Sequence, residues 1–276
     1  MTHLHDPGHA SPGHAAAVVA VKDLSRAKTR LTSLSPALRG RLAALMAVTV
    51  VRALTEALDR VVVVTTAPGI GPLLHDHGLP TEILADPRAG LNAAFAAGAA
   101  RLRAEGADLV VACMADLPVL TSDAVRRTLA PCVEEGRWFV RDAAGTGTTL
   151  LAARSRDLAP HFGPDSAHRH TSSGAIELAA PDNLRIDVDA PADLAAAAAV
   201  GLLPPVAALV DDGRIGRWDT GVIVGPEADG WAVLTSSGSR VHAGTEALGA
   251  DVLRLAAGQR VHLVRSPAGL IRHLWI

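Results

Sequence analysis

The sequence predicts an α/β protein built on a mainly parallel, doubly wound sheet and followed by a small all-β unit, and three observations carry that prediction. From residue 15 to about residue 200, short β-branched or aliphatic runs alternate with longer helical stretches, the pattern of a βαβ chain. One of those runs, RVVVVTT at 60–66, holds four consecutive Val, which suits a strand covered on both faces. Beyond residue 216 the texture changes to short strands between Gly, Pro and Asp turns, the mark of a separate β unit.

Each element has its own signal. AAAVVAV (15–21) reads as a buried strand. Ser35 to Leu58 reads as a helix, with Ser35 as N-cap and Pro36 at the first position, where its missing N–H is harmless. RVVVVTT and TEILAD (81–86) supply the next strands, a helix follows near 90–105, and DLVVACMAD (108–116) is another strand. A helix is expected from Ser122, taken as its cap, to about Glu135. TTLLAAR (148–154) and LRIDVDA (184–190) read as later strands, and Pro191 opens a helix to about Val200. The β unit comprises TGVIV (220–224), WAVLTSSGSRVHA (231–243, turning at Ser237-Gly238), QRVHLV (259–264) and LIRHLWI (270–276). The expected organisation is a His-rich disordered tail at 1–14, a first domain at 15–203, a linker at 204–216 and a β-barrel at 217–276.

Composition narrows the function classes. The chain has 276 residues, 49% of them hydrophobic and 3% aromatic with no Tyr, so its core must be aliphatic. A formal charge of −2 argues against a general polyanion binder, while leaving room for a local basic pocket. Two cysteines, Cys113 and Cys132, make neither a disulfide framework nor a four-ligand zinc site, and they fit a reducing cytoplasm. Met1 to His14 is polar and lacks the cationic start and apolar run of a secretory signal. The uncharged stretch 195–210 falls short of the roughly 20 residues that span a bilayer, and Pro204-Pro205 interrupts it. No membrane partner is expected.

Ligands of a doubly wound sheet bind beyond the carboxyl ends of its strands, and four clusters fall there. AVKDLSRAKTRL (20–31) sets Lys22, Lys28 and Arg30 in the loop after the first strand, a cationic lining suited to a triphosphate. It matches neither of the usual glycine fingerprints, and a solvated basic loop would read the same. ADLP (115–118) places Asp116 at a strand tip, either as a turn cap or as a cation ligand. DVDAP (187–191) puts Asp187 and Asp189 on one face of a strand, a costly pairing unless a cation or donors lie between them. With Asp116 they would form the oxygen-rich site that Mg²⁺ takes beside nucleotide phosphates. The last cluster pairs GTGTT (145–149) with FGPDSAHRH (162–170), where backbone N–H groups and hydroxyls suit a small anion and His168, Arg169 and His170 add cations. Two ordinary turns are the competing reading.

In this order the clusters resemble the guanylyltransferases of coenzyme F-420 (deazaflavin) biosynthesis, which join GMP to phosphoenolpyruvate or 2-phospho-L-lactate. The resemblance runs from about Ala16 to Val200, and AVKDLSRAKTRL, GTGTTLL, FGPDSAHRH and IDVDAPADL are its most specific pieces. It implies a nucleotide-diphospho-sugar-transferase-like fold, Mg²⁺ as cofactor, and GTP and phosphoenolpyruvate as substrates. Residue by residue it implies phosphoenolpyruvate contacts at Thr148, Gly163 and Ser166 and metal ligands at Asp116, Asp187 and Asp189. It further implies GTP contacts at Lys22, Lys28, Arg30 and Asn92, the last toward the nucleoside. Lys22, Lys28, Arg30 and Asp116 then carry the catalysis. Ala115 stands where the family usually has Gly before the metal Asp.

The implied reaction is in-line attack of an acceptor phosphate oxygen on the α-phosphorus of GTP, with pyrophosphate leaving and no general base. Three other readings compete: the 2-phospho-L-lactate enzyme, a nucleotidyltransferase for another phosphorylated acceptor, and a non-catalytic nucleotide- or nucleic-acid-binding module. The tail partly resembles cold-shock domains, OB-like barrels that bind single strands. From Asp211 onward, however, seven Arg and no Lys face seven Asp and Glu, so the basic footprint of nucleic-acid binding is missing. A barrel for homo-oligomerisation, or for docking to the next pathway enzyme, is the expectation.

Overall fold

The computed structural model describes residues 14–22, 24, 28–31, 34–211, 217–248, 255–265 and 271–275. The expected tail at 1–14 lies outside the described residues except for His14. A seven-stranded sheet of order β3-β2-β1-β4-β6-β5-β7 forms the first unit. Its strands are β1 (Ala15–Val21), β2 (Arg60–Thr65), β3 (Glu82–Ala85), β4 (Leu109–Cys113), β5 (Gly136–Arg141), β6 (Thr148–Arg154) and β7 (Ile176–Glu177). The first four pair in parallel, as the sequence predicts. β6 then runs antiparallel to both β4 and β5, so the complete sheet is mixed.

Alternation along β1 explains the layering. Ala17, Val19 and Val21 join a core beneath α1 (Pro36–Ala57) and α4 (Ser122–Leu129). Ala16, Val18 and Ala20 face the opposite core, which holds Ala94, Phe95 and Leu102 of α3 (Leu91–Ala104). That is the period-two geometry of a strand buried on both faces. α3 approaches β1 closely enough that a Cβ on Gly98 would lie 2.2 Å from Val18 Cγ2.

Several expectations need correction. The cap of α4 is Thr121, whose side chain accepts from Ala124 N, and the helix ends at Leu129 with Pro131 close behind. LRIDVDA is no ladder strand; after a 3₁₀ turn at Asp182–Leu184 it runs as irregular chain, yet Leu184, Ile186 and Val188 are buried and the residues between them are not. Its alternation was legible, but among the described residues no strand pairs with it. β5, α2 (Ile70–Asp76) and α5 (Ser166–Ser172) form where no element was expected. The anticipated linker begins as a helix, α7 (Pro204–Asp211), which follows α6 (Pro191–Val200). Val206 and Leu209 of α7 share a core with Leu42 and Met46 of α1 and with Ile186, Val188 and Leu194. Residues 212–216 lie outside the described set.

The second unit is an antiparallel sheet of order β10-β9-β8-β11-β12. It comprises β8 (Arg217–Glu227), β9 (Gly230–Thr235), β10 (Arg240–Gly244), β11 (Arg260–Arg265) and β12 (Ile271–Trp275). Gly238, at φ +78°, makes the expected hairpin turn. The unit has its own core of Ile223, Val233, Ala243, Val261, Leu263, Ile271 and Leu274, with Trp231 packed against it. The side chains of Trp218 and Trp275 lie outside the described set.

Candidate active site

The carboxyl ends of β1 and β4 and the amino end of β6 meet at one edge of the first sheet. Lys28, in the loop after β1, has φ +53° and reaches across that edge. Its Nζ lies 2.5 Å from Asp116 Oδ2 and 2.9 Å from Asp189 Oδ1. Lys22 and Arg30 stay exposed beside it. Asp116 follows β4, and its carbonyl accepts from Val188 N at 3.1 Å, which ties the 187–189 segment to the strand tip. Asp193 Oδ2 accepts from Asp189 N at 2.9 Å and from Ala190 N at 2.6 Å, fixing that segment at the start of α6.

The electrostatics follow from this packing. Burial of Lys28 works to lower its pKa, but the charges and hydrogen bonds of Asp116 and Asp189 outweigh it and raise the pKa above the ordinary lysine value. Burial opposes the charge of Asp189, yet Lys28, helped by Arg30 and Lys22, holds its pKa below the usual carboxylate value. Asp187 has no such partner among the described residues: burial first, then the charges of Asp116, Asp142 and Asp189, push it up to about 7.

Lys28 stands between two of the three acids expected as metal ligands. Among the described residues no three His, Cys, Asp or Glu side chains are gathered as an ion-holding group; Lys28 bridges Asp116 and Asp189, which supply the buried ammonium with its counter-charge. The donor set still suits a hard divalent cation. Asp116 Oδ1 is buried with no hydrogen-bond partner among the described residues, and Asp187 stands among three other carboxylates.

The acceptor-side cluster departs from expectation at the Gly-Thr loop. Its N–H groups were expected to face an anion from solution, but Asp142 fills that role: Oδ1 accepts from Thr146 N at 3.0 Å and Oδ2 from Gly147 N at 2.8 Å. A Cβ on Gly147 would sit 2.2 Å from Asp142 Oδ2. Thr148 opens β6 with its hydroxyl 2.9 Å from His170 Nδ1. Gly163, at φ +120°, turns the chain into α5, where Ser166 N donates to Gly163 O at 3.1 Å. Ala167 N bonds Thr146 O at 3.0 Å, so the Gly-Thr loop and the FGPDSAHRH loop are joined. For His170, burial first, then the charges of His161, Arg169 and Arg137, lower the pKa to about 4. It is a neutral core residue.

Asn92, expected toward the nucleoside, has both ends of its carboxamide on the Phe162 backbone, accepting from N at 2.8 Å and donating to O at 3.1 Å. It ties α3 to the acceptor loop and keeps one N–H for any other partner. Beyond the carboxyl end of β2 lies a cavity of about 570 Å³ lined by Leu24, Thr66, Ala67, Pro68, Gly69 and Arg88. The Ala67-Pro68-Gly69 turn after a strand is the signal that could have marked it in the sequence. A larger cavity of about 780 Å³ lies between α1, α4 and α7. No candidate residue lines it, and the smaller cavity adjoins the basic loop.

Comparison with known proteins follows the same lines. The model of the MobA-like NTP transferase domain matches residues 37–173. Phosphoenolpyruvate guanylyltransferase of Streptomyces avermitilis is 47% identical over 199 residues, covering 69% of this chain and 91% of that relative. The Nocardia farcinica protein of the same name is 42% identical over 205 residues (71% and 90%), and that of Streptomyces coelicolor 46% over 200 residues (70% and 93%). A solved protein from Desulfovibrio desulfuricans G20, assigned provisionally as a nucleotide-diphospho-sugar transferase, shares the fold with a TM-score of 0.50 at 14% identity. It covers 66% of this chain and 84% of its own.

Proposed function

The chain belongs to the phosphoenolpyruvate guanylyltransferase family, and from that premise we propose that it transfers GMP from GTP to phosphoenolpyruvate, forming enolpyruvoyl-diphospho-guanosine and pyrophosphate for coenzyme F-420 biosynthesis. One structural observation carries the reading: a lysine-bridged pair of carboxylates and a hydroxyl-bearing acceptor loop lie at the same end of the sheet. The acceptor phosphate is already ionised near neutral pH, so the protein needs no general base. Its task is to bring two polyanions together in line and to offset their charge.

Each candidate residue has a part in this proposal. Lys22, Lys28 and Arg30 hold the triphosphate and offset the charge of the departing pyrophosphate. Lys28 exchanges its carboxylate partners for phosphate oxygens as the nucleotide enters. Thr148, Gly163 and Ser166 receive phosphoenolpyruvate. The cavity beside Arg88 takes the nucleoside, with Asn92 steadying the loop between the two substrates. Asp116, Asp187 and Asp189 would hold a divalent cation, Mg²⁺ in this proposal, which when bound supplies positive charge at the phosphates. The catalytic unit spans 15–203, and the 217–276 sheet closes as a barrel that serves oligomerisation or docking. The parallel bridge between Leu248 and Leu274 supports that closure.

The test is product mass spectrometry with GTP, Mg²⁺ and an equimolar mixture of phosphoenolpyruvate and 2-phospho-L-lactate. Dominance of the enolpyruvoyl product is expected. Dominance of the lactyl product, or equal turnover of CTP, UTP or ATP, would replace this reading.

A further inference from the structure

The proposal above places Thr148 against the acceptor, and the inference here rests on that reading. His170 lies one turn beyond Ser166 on α5 and is fully buried. Its ring sits near those of Phe139 and Phe162, at centroid distances of 5.8 and 5.3 Å. The two ring nitrogens meet different partners. Nε2 lies 2.9 Å from the backbone N of His161, a group that can only donate. Nε2 must therefore keep its lone pair, which in a neutral imidazole puts the proton on Nδ1.

Nδ1 lies 2.9 Å from Thr148 Oγ1, so the ring donates and the hydroxyl accepts. The opposite sense would place an Nε2–H against the His161 N–H, and an imidazolium would do the same. Having accepted from the ring, Thr148 keeps its own hydroxyl proton, for which no acceptor exists among the described residues. The carboxylate and phosphate of phosphoenolpyruvate are hydrogen-bond acceptors near neutral pH, so a hydroxyl held as a donor matches them.

We propose that His170 is a positioning residue for acceptor binding, which fixes the Thr148 hydroxyl as a donor toward the anionic acceptor. Through its bond to His161 the same ring joins Thr148 to the loop that carries Gly163 and Ser166. A Leu in its place fills the apolar contacts but cannot donate. An Asn can present an amide N–H where Nδ1 stood.

The experiment uses the full chain. Long-range ¹H–¹⁵N spectra of histidine-labelled protein at pH 7 should show His170 neutral with its proton on Nδ1. His170→Leu should raise the KM for phosphoenolpyruvate about 10-fold, the weight of one hydrogen bond to a charged group, and leave the KM for GTP within about twofold of wild type. His170→Asn should recover most of that loss, and Thr148→Val combined with His170→Leu should be no worse than Thr148→Val alone. An Nε2–H or doubly protonated ring overturns the proposal, and so does a folded His170→Leu variant with unchanged acceptor KM. If His170→Leu does not fold, the tautomer in the wild-type chain and the acceptor KM of His170→Asn decide. A wild-type chain that makes no pyrophosphate from GTP and phosphoenolpyruvate would remove the activity reading itself; a wild-type chain that turns over while these signatures fail removes the His170 proposal alone.

Discussion

Lys28 shows how much of the site depends on individual atoms. One ammonium satisfies Asp116 and Asp189 together, and removing either acid leaves a buried charge with half its partners. Asp116→Ala and Asp189→Ala should each slow pyrophosphate release by about 100-fold or more, the scale seen when a charge-stabilising group is lost, with the fold retained by circular dichroism. Release near the wild-type rate from either variant would remove these acids from the reaction. Ser166→Ala should raise the KM for phosphoenolpyruvate and leave that for GTP little changed; equal effects on both would displace Ser166 from the acceptor side. His170 also ties stability to pH. Its folded pKa of about 4 lies below the 6.5 of a free histidine, so the unfolded chain binds the extra proton. Stability is fully present above about pH 6.5 and falls as the pH drops toward 4, by about 3 kcal/mol at most. Denaturant midpoints at pH 7 and pH 5 for wild type and His170→Leu should show a steeper acid loss in wild type. The motifs marked Thr148, Gly163 and Ser166 in the sequence. They did not mark Asp142 or the tautomer of His170, whose roles depend on partners that only the folded loops bring within 3 Å.

At the scale of elements, the strands with long apolar runs and the capped helices were legible. Ser35 caps α1 and accepts from Leu38 N as expected, and β1 and β6 carry the anticipated boundaries. β5 escaped notice because GRWFVR offers only three buried residues between polar ends and a glycine start. α5 escaped because Gly163, Pro164 and Asp165 read as a turn, as they are, and the seven-residue helix behind them has little apolar pattern. LRIDVDA went the other way: its alternation is real, but strand pairing requires a neighbour that local sequence does not reveal. The packing of α3 on β1 gives a test at this scale. Gly98→Ala would force a Cβ to within 2.2 Å of Val18 Cγ2 and should cost about 1–3 kcal/mol of stability, read as a lower urea midpoint. An unchanged midpoint would mean that α3 stands further from the sheet.

For the whole molecule, the two sheets have separate cores, and the curated relatives are matched over about nine-tenths of their length by 69–71% of this chain. A chain ending at Asp211, which retains α7 and its contact with Met46 and Leu42, is therefore expected to keep GMP transfer within about threefold of the full chain. Loss of activity in that folded fragment would show that the second sheet completes the site. No described helix is long and apolar enough to cross a membrane, in keeping with the interrupted stretch at 195–210. What the sequence by itself determined was the alternation of elements, the parallel half of the sheet and the chemical types gathered at its strand ends, because periodicity, caps and turn residues act over a few positions. Tertiary structure alone decided that β6 reverses direction, that Asp142 fills the Gly-Thr loop and that Lys28 spans 88 and 161 residues of chain to hold two carboxylates. Those outcomes turn on burial, which favours pairing a charge or an N–H with a partner wherever along the chain that partner lies.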